Sequence, residues 1–137
     1  MMEKKTGGAV VGQRSTWKGW VEIGGKRFYA KSNYERKYAL YLELMKTHKH
    51  IVDWEYEPHT FYFQGIIRGT NNYKPDFKVY FPNGTHEWIE IKGYMEKKDF
   101  TKMKRMAKYF PNEKIRVIGK PWFTENNPKL RGIIKDW

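Results

Sequence analysis

Residues 73–93 read YKPDFKVYFPNGTHEWIEIKG, and this stretch decides the fold of the chain. The segments 74–81 and 85–92 are rich in aromatic and β-branched side chains, which favour strands. Between them, residues 82–84 are Pro-Asn-Gly, a typical turn sequence. The stretch therefore predicts a β-hairpin.

The length of the turn determines which side chains face each other across this hairpin. A two-residue turn at 83–84 would place Asp76 opposite Ile91, with its carboxylate facing away from Glu90. A three-residue turn at 82–84, with proline in the first position and glycine in the left-handed conformation, would place Asp76 opposite Glu90. We favour the three-residue turn.

In that register the two faces of the hairpin differ in chemistry. Asp76, Glu90 and Lys92 share one face, because side chains alternate along a strand. The opposite face carries Phe77, Val79, Ile89 and Ile91. Two opposed carboxylates repel each other, and a divalent cation between them, with Lys92 beside it, would compensate. Alternatively, Asp76 belongs to a Pro-Asp turn and the other two are ordinary polar strand residues.

These residues also carry a family resemblance. Pro75-Asp76 followed by Glu90-Ile91-Lys92 resembles the PD-(D/E)XK nuclease superfamily. The longer pattern YKPDF…IEIKG resembles its bacteriophage Holliday-junction resolvase and endonuclease members. The likeness covers about residues 21–120.

The resemblance implies a metal-dependent phosphodiester hydrolase. Asp76 and Glu90 would bind Mg²⁺, for which Mn²⁺ can substitute, with the main-chain carbonyl of Ile91 as a further oxygen ligand. The cation polarises the scissile phosphate and lowers the pKa of a bound water. Lys92 would orient that water or stabilise the charge that builds on the phosphate oxygens.

A helix is predicted from Ser32 as N-cap to about Lys46, and Glu35 completes a capping-box pattern. The apolar residues at helical spacing are Tyr34, Tyr38, Tyr41, Leu42 and Met45. Glu35 has two interpretations. The capping box alone accounts for it, but SNYERKYALYLE also resembles the N-terminal helix of phage resolvase-like nucleases, in which a Glu at this position reaches toward the metal site and can act in catalysis.

Composition indicates the partner. The 137 residues include 27 Lys and Arg against 15 Asp and Glu, a net charge of +12 that attracts polyanions, most commonly nucleic acid. The chain has no cysteine, which excludes disulfides and thiolate zinc sites, and the histidines show no metal-ligand spacing. With no membrane-length apolar run and no signal peptide, we expect a cytoplasmic protein without membrane contact, in the host cytoplasm if it is viral.

Two basic segments are candidate DNA contacts. Residues 1–20 mix glycines with cations and predict an extended basic arm, in which Arg14 and Lys18 would bind DNA. A second helix is predicted over residues 97–110, with an apolar face of Phe100, Met103, Ala107 and Phe110. The cations on its remaining surface are Lys98, Lys102, Lys104, Arg105 and Lys108. Such a surface is usually solvated, but so many cations suit a phosphate backbone.

The remaining segments complete the fold prediction. The patterns predict a small hairpin at 21–29 around two glycines, strands near 52–57 and 61–63, a loop at 65–72 and a short buried strand at 115–118. The resulting order resembles the αβββαβ core of restriction-endonuclease-like proteins, an α/β fold with a central mixed sheet flanked by helices. We expect a basic arm at 1–20 and one nuclease domain at 21–137, with its core at about 32–120. The tail 122–137 is not assigned to an element.

The sequence therefore predicts a divalent-metal-dependent DNA endonuclease. A Holliday-junction resolvase is favoured, and a restriction, repair or transposon-type nuclease of the same chemistry is the alternative. A non-catalytic basic nucleic-acid-binding module, with structural acidic residues, is the third hypothesis. A four-way junction has near two-fold symmetry, which suits a homodimer. The candidate dimer-surface aromatics are Trp17, Trp20, Phe28, Tyr29, Trp122, Phe123 and Trp137, with packing on their own domain as the alternative.

Overall fold

The computed structural model describes residues 17–137. Its elements in chain order are β1 (Gly19–Ile23), β2 (Lys26–Ala30), α1 (Asn33–Thr47), β3 (Asp53–Tyr56), β4 (Phe61–Tyr62), β5 (Asn72–Tyr73), β6 (Phe77–Tyr80), β7 (His86–Ile91), α2 (Lys97–Tyr109), β8 (Ile115–Ile118) and α3 (Lys120–Arg131). Most of the predicted basic arm, including Arg14, lies outside the described residues. Because β1 begins at Gly19, the last two residues of that predicted arm belong to the first strand.

A four-stranded mixed sheet forms the middle of the fold. Its strand order is β3-β6-β7-β8; the first three strands are antiparallel, and β8 runs parallel to β7. With α1 before these strands and α2 between β7 and β8, the predicted α/β class and the order αβββαβ are confirmed. The β1-β2 hairpin, the short β4-β5 pair and α3 are additions to that core.

The central hairpin has the predicted three-residue turn. Phe77 pairs with Ile89, and the register continues to Phe81, whose N–H donates to the Thr85 carbonyl at 2.9 Å. Gly84 has φ +88°, the left-handed conformation that glycine adopts without steric penalty. This register places Asp76 directly opposite Glu90, as predicted.

Both faces of the sheet are covered by apolar side chains. One face packs against α1, α3 and the β1-β2 hairpin; its buried residues include Phe77, Val79, Ile89, Ile91, Tyr38, Leu42 and Phe123. The other packs against α2 and the β4-β5 pair, through Trp88, Phe61, Phe63, Tyr73 and Met106. The predicted apolar face of the hairpin is confirmed. The acidic face is also buried, so polar groups there lie inside the protein.

The first helix and first hairpin follow their local signals. Ser32 is the N-cap of α1, and its hydroxyl accepts a hydrogen bond from the Glu35 N–H at 3.1 Å. The β1-β2 turn is Gly24-Gly25, with φ +59° and +78°, as a two-residue hairpin turn with both positions left-handed requires. Both predictions are confirmed because short-range backbone chemistry determines them.

Met103 and Phe110 of the predicted apolar face pack against the core, but the rest of that face is wrong for α2. Its buried residues are Asp99 and Met106, whereas Phe100 is 57% exposed and Ala107 is exposed. Asp99 and Met106 thus take the places on the inner face that were predicted for Phe100 and Ala107. Asp99 enters the interior because its carboxylate has a partner there, Lys92, at 3.3 Å.

Two further expectations need correction. The strand at 115–118 lies at the edge of the sheet, and Val117 is exposed, so this strand is not buried as predicted. Among the candidate dimer aromatics, Phe28 stacks on Tyr56 inside the core and Phe123 stacks on Tyr34 with ring centroids 3.9 Å apart. Those two rings pack within their own chain. Residues of the unassigned tail form α3.

Within residues 17–137, no helix combines the length and the apolar character that crossing a membrane requires.

Candidate functional site

Two buried carboxylates face each other at the centre of the candidate site. Asp76 directly precedes β6 and is 4% exposed, and Glu90 lies near the end of β7 and is 8% exposed. Directly opposed residues of an antiparallel pair have Cβ atoms about 5 Å apart. Buried acidic residues at opposed positions are unfavourable for folding unless other groups compensate.

Each carboxylate is oriented by one hydrogen bond. Oδ2 of Asp76 accepts from the Ile91 N–H at 2.8 Å. Oε1 of Glu90 accepts from the Tyr73 hydroxyl at 2.7 Å. These bonds hold the two acidic groups in defined positions next to each other.

Burial perturbs both groups, and repulsion by neighbouring carboxylates adds to the effect at Asp76. Burial, together with the charges of Glu90 and Glu35, raises the pKa of Asp76 well above its usual value, against the opposing effects of the Ile91 N–H and of Lys31. Burial also raises the pKa of Glu90, although Tyr73 and nearby lysines oppose it. Strongly shifted pKa values occur most often at functional sites. Two buried carboxylates with raised pKa values also weaken the fold, which makes a purely structural role a poor explanation for them.

Two lysines lie beside this pair. Nζ of Lys31 is 3.9 Å from Oδ1 of Asp76, and Nζ of Lys92 is 3.9 Å from Oε2 of Glu90. Lys92 is also 3.3 Å from Oδ1 of Asp99, which lies in the first turn of α2. Burial would raise the pKa of Asp99, but the Glu96 N–H and the ammonium groups of Lys92 and Lys102 outweigh it, so the pKa is lowered. Asp99 therefore forms an ion pair with Lys92 that holds the ammonium group in place.

Glu35 is buried beside the acidic pair. Its Oε1 accepts from the Tyr56 hydroxyl at 2.6 Å and from the Lys31 N–H at 3.3 Å. In a capping box, Glu35 would accept a hydrogen bond from the N–H of the N-cap residue, Ser32. Here it accepts from the N–H of Lys31, one residue earlier. The charge of Glu35 also contributes to the raised pKa of Asp76. Glu35 thus stabilises the helix start and lies within electrostatic range of the site.

The predicted DNA-contacting cations fall into different environments. Lys98, Lys104 and Lys108 are exposed on α2, and Lys18 is exposed before β1. Lys102 is half-buried, and its charge acts on both Glu90 and Asp99. The guanidinium of Arg105 donates to the Thr70 carbonyl, which fastens the segment before β5 to α2. Lys102 thus lies toward the acidic pair, while Arg105 has a structural contact.

Sequence reasoning did not identify Lys31, Tyr73 and Asp99 as members of the site. Asp99 carried a local signal, because it stands three residues after Glu96, and their side chains and backbones form a reciprocal capping box. Lys31 and Tyr73 carried none; their contacts depend on the packing of β2 and β5 against the central strands.

The acidic pair suits a hard divalent cation only in part. Across the described part of the chain, no group of three or more Asp, Glu or His side chains is placed to hold a metal ion. Mg²⁺, however, commonly binds through one or two carboxylates and takes its other ligands from water and substrate phosphate. Asp76, Glu90 and the Ile91 carbonyl offer oxygen donors of that kind. A cation bound there would neutralise the charges of the two buried carboxylates.

Fold and site together define an α/β protein with a mixed sheet that carries a buried cross-strand carboxylate pair and an adjacent lysine. The chain belongs to the DUF1064 family, described as a protein family of unknown function, whose model matches residues 17–125. This match includes the acidic pair, Lys31, Lys92 and Asp99. Comparison with curated proteins found no match, and comparison with solved structures found none either.

Proposed function

We propose that this protein is a divalent-metal-dependent DNA endonuclease of the PD-(D/E)XK type. The observation that carries the proposal is the buried, directly opposed pair of Asp76 and Glu90, with Lys92 beside it. A structural role would favour opposite charges or apolar residues at these positions, because opposed like charges destabilise a sheet. A site that binds a cation and a phosphate accounts for the arrangement.

The roles of the residues follow from their contacts. Asp76, Glu90 and the Ile91 carbonyl would hold Mg²⁺, or Mn²⁺ in its place. When bound, the cation supplies Lewis-acid activation of the phosphate and of a water. Tyr73 and the Ile91 N–H keep the carboxylates oriented. The ammonium of Lys92, held by Asp99, would stabilise negative charge on the phosphate oxygens.

Glu35 retains two roles in this proposal. Its hydrogen bonds with Lys31 and Tyr56 support the structure around the site. Its charge acts on Asp76, and its carboxylate would also complete the ligands of the cation or form part of a second cation site.

The substrate in this proposal is branched DNA, with the four-way junction first. The net charge of +12 and the exposed lysines of α2 favour a polyanion. A homodimer is proposed from the two-fold symmetry of a junction, which presents two equivalent phosphates to one site per subunit. A restriction, repair or transposon-type nuclease would use the same residues on other DNA.

A non-catalytic nucleic-acid-binding module is the second candidate. It is favoured by the protein partners of the two carboxylates, since Asp76 accepts from the Ile91 N–H and Glu90 from the Tyr73 hydroxyl. In that case the positive charge would bind DNA, and the carboxylate pair would only position Lys31 and Lys92.

Cleavage of four-way, three-way, flap and linear DNA, each with Mg²⁺ and with EDTA, tests the proposal. Metal-dependent cutting that is fastest on the four-way junction supports the resolvase. Equal cutting of linear duplex would retain the nuclease and reject the resolvase. Binding without cutting of any DNA would favour the non-catalytic module.

A further inference from the structure

The acidic pair has one lysine beside each carboxylate, and the two lysines come from different parts of the fold. Lys31 follows β2 and contacts Asp76, whereas Lys92 follows β7 and contacts Glu90, both at 3.9 Å. Lys31 remains 55% exposed and Lys92 30% exposed. The Lys31 ammonium bonds to Glu57 and that of Lys92 pairs with Asp99, so each is held beside the acidic pair while part of its side chain stays accessible to a phosphate.

Exposed aromatic rings lie shortly before Lys31 in the chain. Tyr29, two residues earlier, is 42% exposed on the outward face of β2. Trp20 lies opposite it on β1, is 61% exposed, and contacts it edge-on with ring centroids 5.6 Å apart. Arg27 lies over the Trp20 ring, 4.9 Å from its centroid. We call Trp20 and Tyr29 the first flank.

A second exposed aromatic group follows Lys92, the lysine next to Glu90, in the chain. Tyr94, two residues after Lys92, is 75% exposed, and Phe100 is 57% exposed. Phe100 neighbours Asp99, whose carboxylate holds Lys92. We call Tyr94 and Phe100 the second flank. Two residues of chain span at most about 7 Å, about two base steps of DNA, so each flank begins within that distance of the main chain of a lysine that contacts the pair.

Exposed rings next to cations have a specific use on a basic protein. Sites for single-stranded nucleic acid combine positive charge along the backbone with aromatic rings on which bases stack. A base inside a continuous duplex already has neighbours on both of its faces, so it has no free face for a side chain. Exposed rings that neighbour both lysines of the acidic pair in the chain therefore suit a strand whose bases are unpaired there.

We propose that the two flanks stack on unpaired bases on either side of the phosphate that lies at Asp76 and Glu90. The preferred substrate is then DNA that is unpaired at the site, as at a branch point, a flap or a single-stranded gap. The position of the scissile phosphate rests on the proposed nuclease function. The stacking itself does not, because it is a binding property.

Binding of fluorescently labelled DNA in EDTA tests this inference without cutting. The two DNAs share one sequence, as a continuous duplex and as a duplex with a central unpaired stretch. Tyr29→Leu and Tyr94→Leu should each weaken binding of the unpaired DNA by about 5- to 150-fold, the loss of one stacked base, with little change on the duplex. Tyr29→Phe and Tyr94→Phe retain the ring and should bind like the wild type.

Tyr62→Leu is the matched control, because Tyr62 is 67% exposed on β4, away from both lysines in the chain. It should leave both affinities unchanged. Equal losses on the two DNAs, or no loss for either leucine variant, would overturn the stacking inference. Thermal unfolding of each variant shows whether Tyr29→Leu still folds its hairpin. If that hairpin is lost, the binding result for Tyr94→Leu alone tests the stacking inference.

The same proteins, assayed with Mg²⁺, separate this inference from the proposed function. If the leucine variants lose selective binding but the wild type cuts no DNA, the flanks stack on bases and the nuclease proposal fails. If the wild type cuts but the leucine variants bind and cut unpaired DNA normally, the nuclease proposal stands and the stacking inference fails.

Discussion

Replacing Asp76 by asparagine should stabilise the protein at neutral pH, although it removes a central residue of the proposed site. The carboxylate is buried and opposes Glu90, and both effects raise its pKa. Asparagine retains the side-chain oxygen that accepts from the Ile91 N–H, now at 2.8 Å. The substitution therefore removes a repelling charge while it keeps shape and hydrogen bonding.

The size of the effect follows from the geometry. With the Cβ spacing of opposed residues, about 5 Å, taken as the charge separation, two unit charges repel by about 3 kcal/mol at an effective dielectric constant of 20. Lys31, 3.9 Å from Asp76 and about half exposed, offsets part of this repulsion. We expect the free energy of unfolding to rise by about 1–3 kcal/mol, which corresponds to about 3–10 °C in Tm for a domain of this size.

The pH dependence has a defined sign. A carboxyl group whose pKa is raised on folding contributes stability below its unfolded pKa of about 3.9 and loses it as the pH rises through the folded-state pKa. The wild type should therefore lose stability as the pH rises, because Asp76 ionises, whereas Asp76→Asn should not lose that contribution. Urea unfolding in EDTA should therefore give nearly equal stabilities at pH 4 and a growing advantage for the variant toward pH 8.

Asp53→Asn is the control of opposite sign. Burial acts to raise the pKa of Asp53, but bonds with Lys26, the Trp54 N–H and Lys46 outweigh it and lower that pKa. Because this side chain is 42% exposed, the loss of stability should be only about 0.2–1 kcal/mol. If Asp76→Asn destabilises the protein at pH 8, or if its effect does not vary with pH, the neighbouring groups already compensate the charge and the repulsion argument is refuted.

Three further predictions concern function. Glu90→Gln and Lys92→Ala should each abolish metal-dependent cutting while DNA affinity in EDTA is retained; wild-type cutting by either, in a gel assay, would reject the catalytic assignment. Glu35→Ala should lose about 1–3 kcal/mol of stability by leaving the Tyr56 hydroxyl without its acceptor, whereas Glu35→Gln keeps an oxygen there. Both should lose activity if Glu35 acts at the cation, and a fully active Gln variant would limit it to a structural role. DNA affinity should fall by about 10³- to 10⁵-fold between 50 and 200 mM salt for six to ten phosphate contacts, and a flat salt response would show that the positive charge only solvates the surface.

The sequence by itself determined the central hairpin and its register. A Pro-Asn-Gly turn restricts the backbone locally, and the apolar side chains on alternate positions leave only one register that buries them. Asp76 and Glu90 were therefore predictable as an opposed pair. The start of α1 was predictable for a similar reason, because the Ser32 cap acts within one helical turn.

Tertiary structure alone decided how α2 faces the sheet. Helical periodicity allows two slightly different buried faces for α2, one with Phe100 and one with Asp99. Hydrophobicity favours the face with Phe100. The folded protein buries Asp99, because Lys92 at the end of β7 supplies a positive partner 3.3 Å from its carboxylate. Such a partner is invisible in the local pattern, since it comes from another element.

The same physical reason applies to the groups around the acidic pair. Tyr73 and Lys31 reach Glu90 and Asp76 only after the outer strands pack beside the central ones. Residue types and spacing thus identified the two carboxylates, whose relation is set within one hairpin. The hydrogen bonds and charges that tune them come from segments distant in the chain, and only packing brings those segments together.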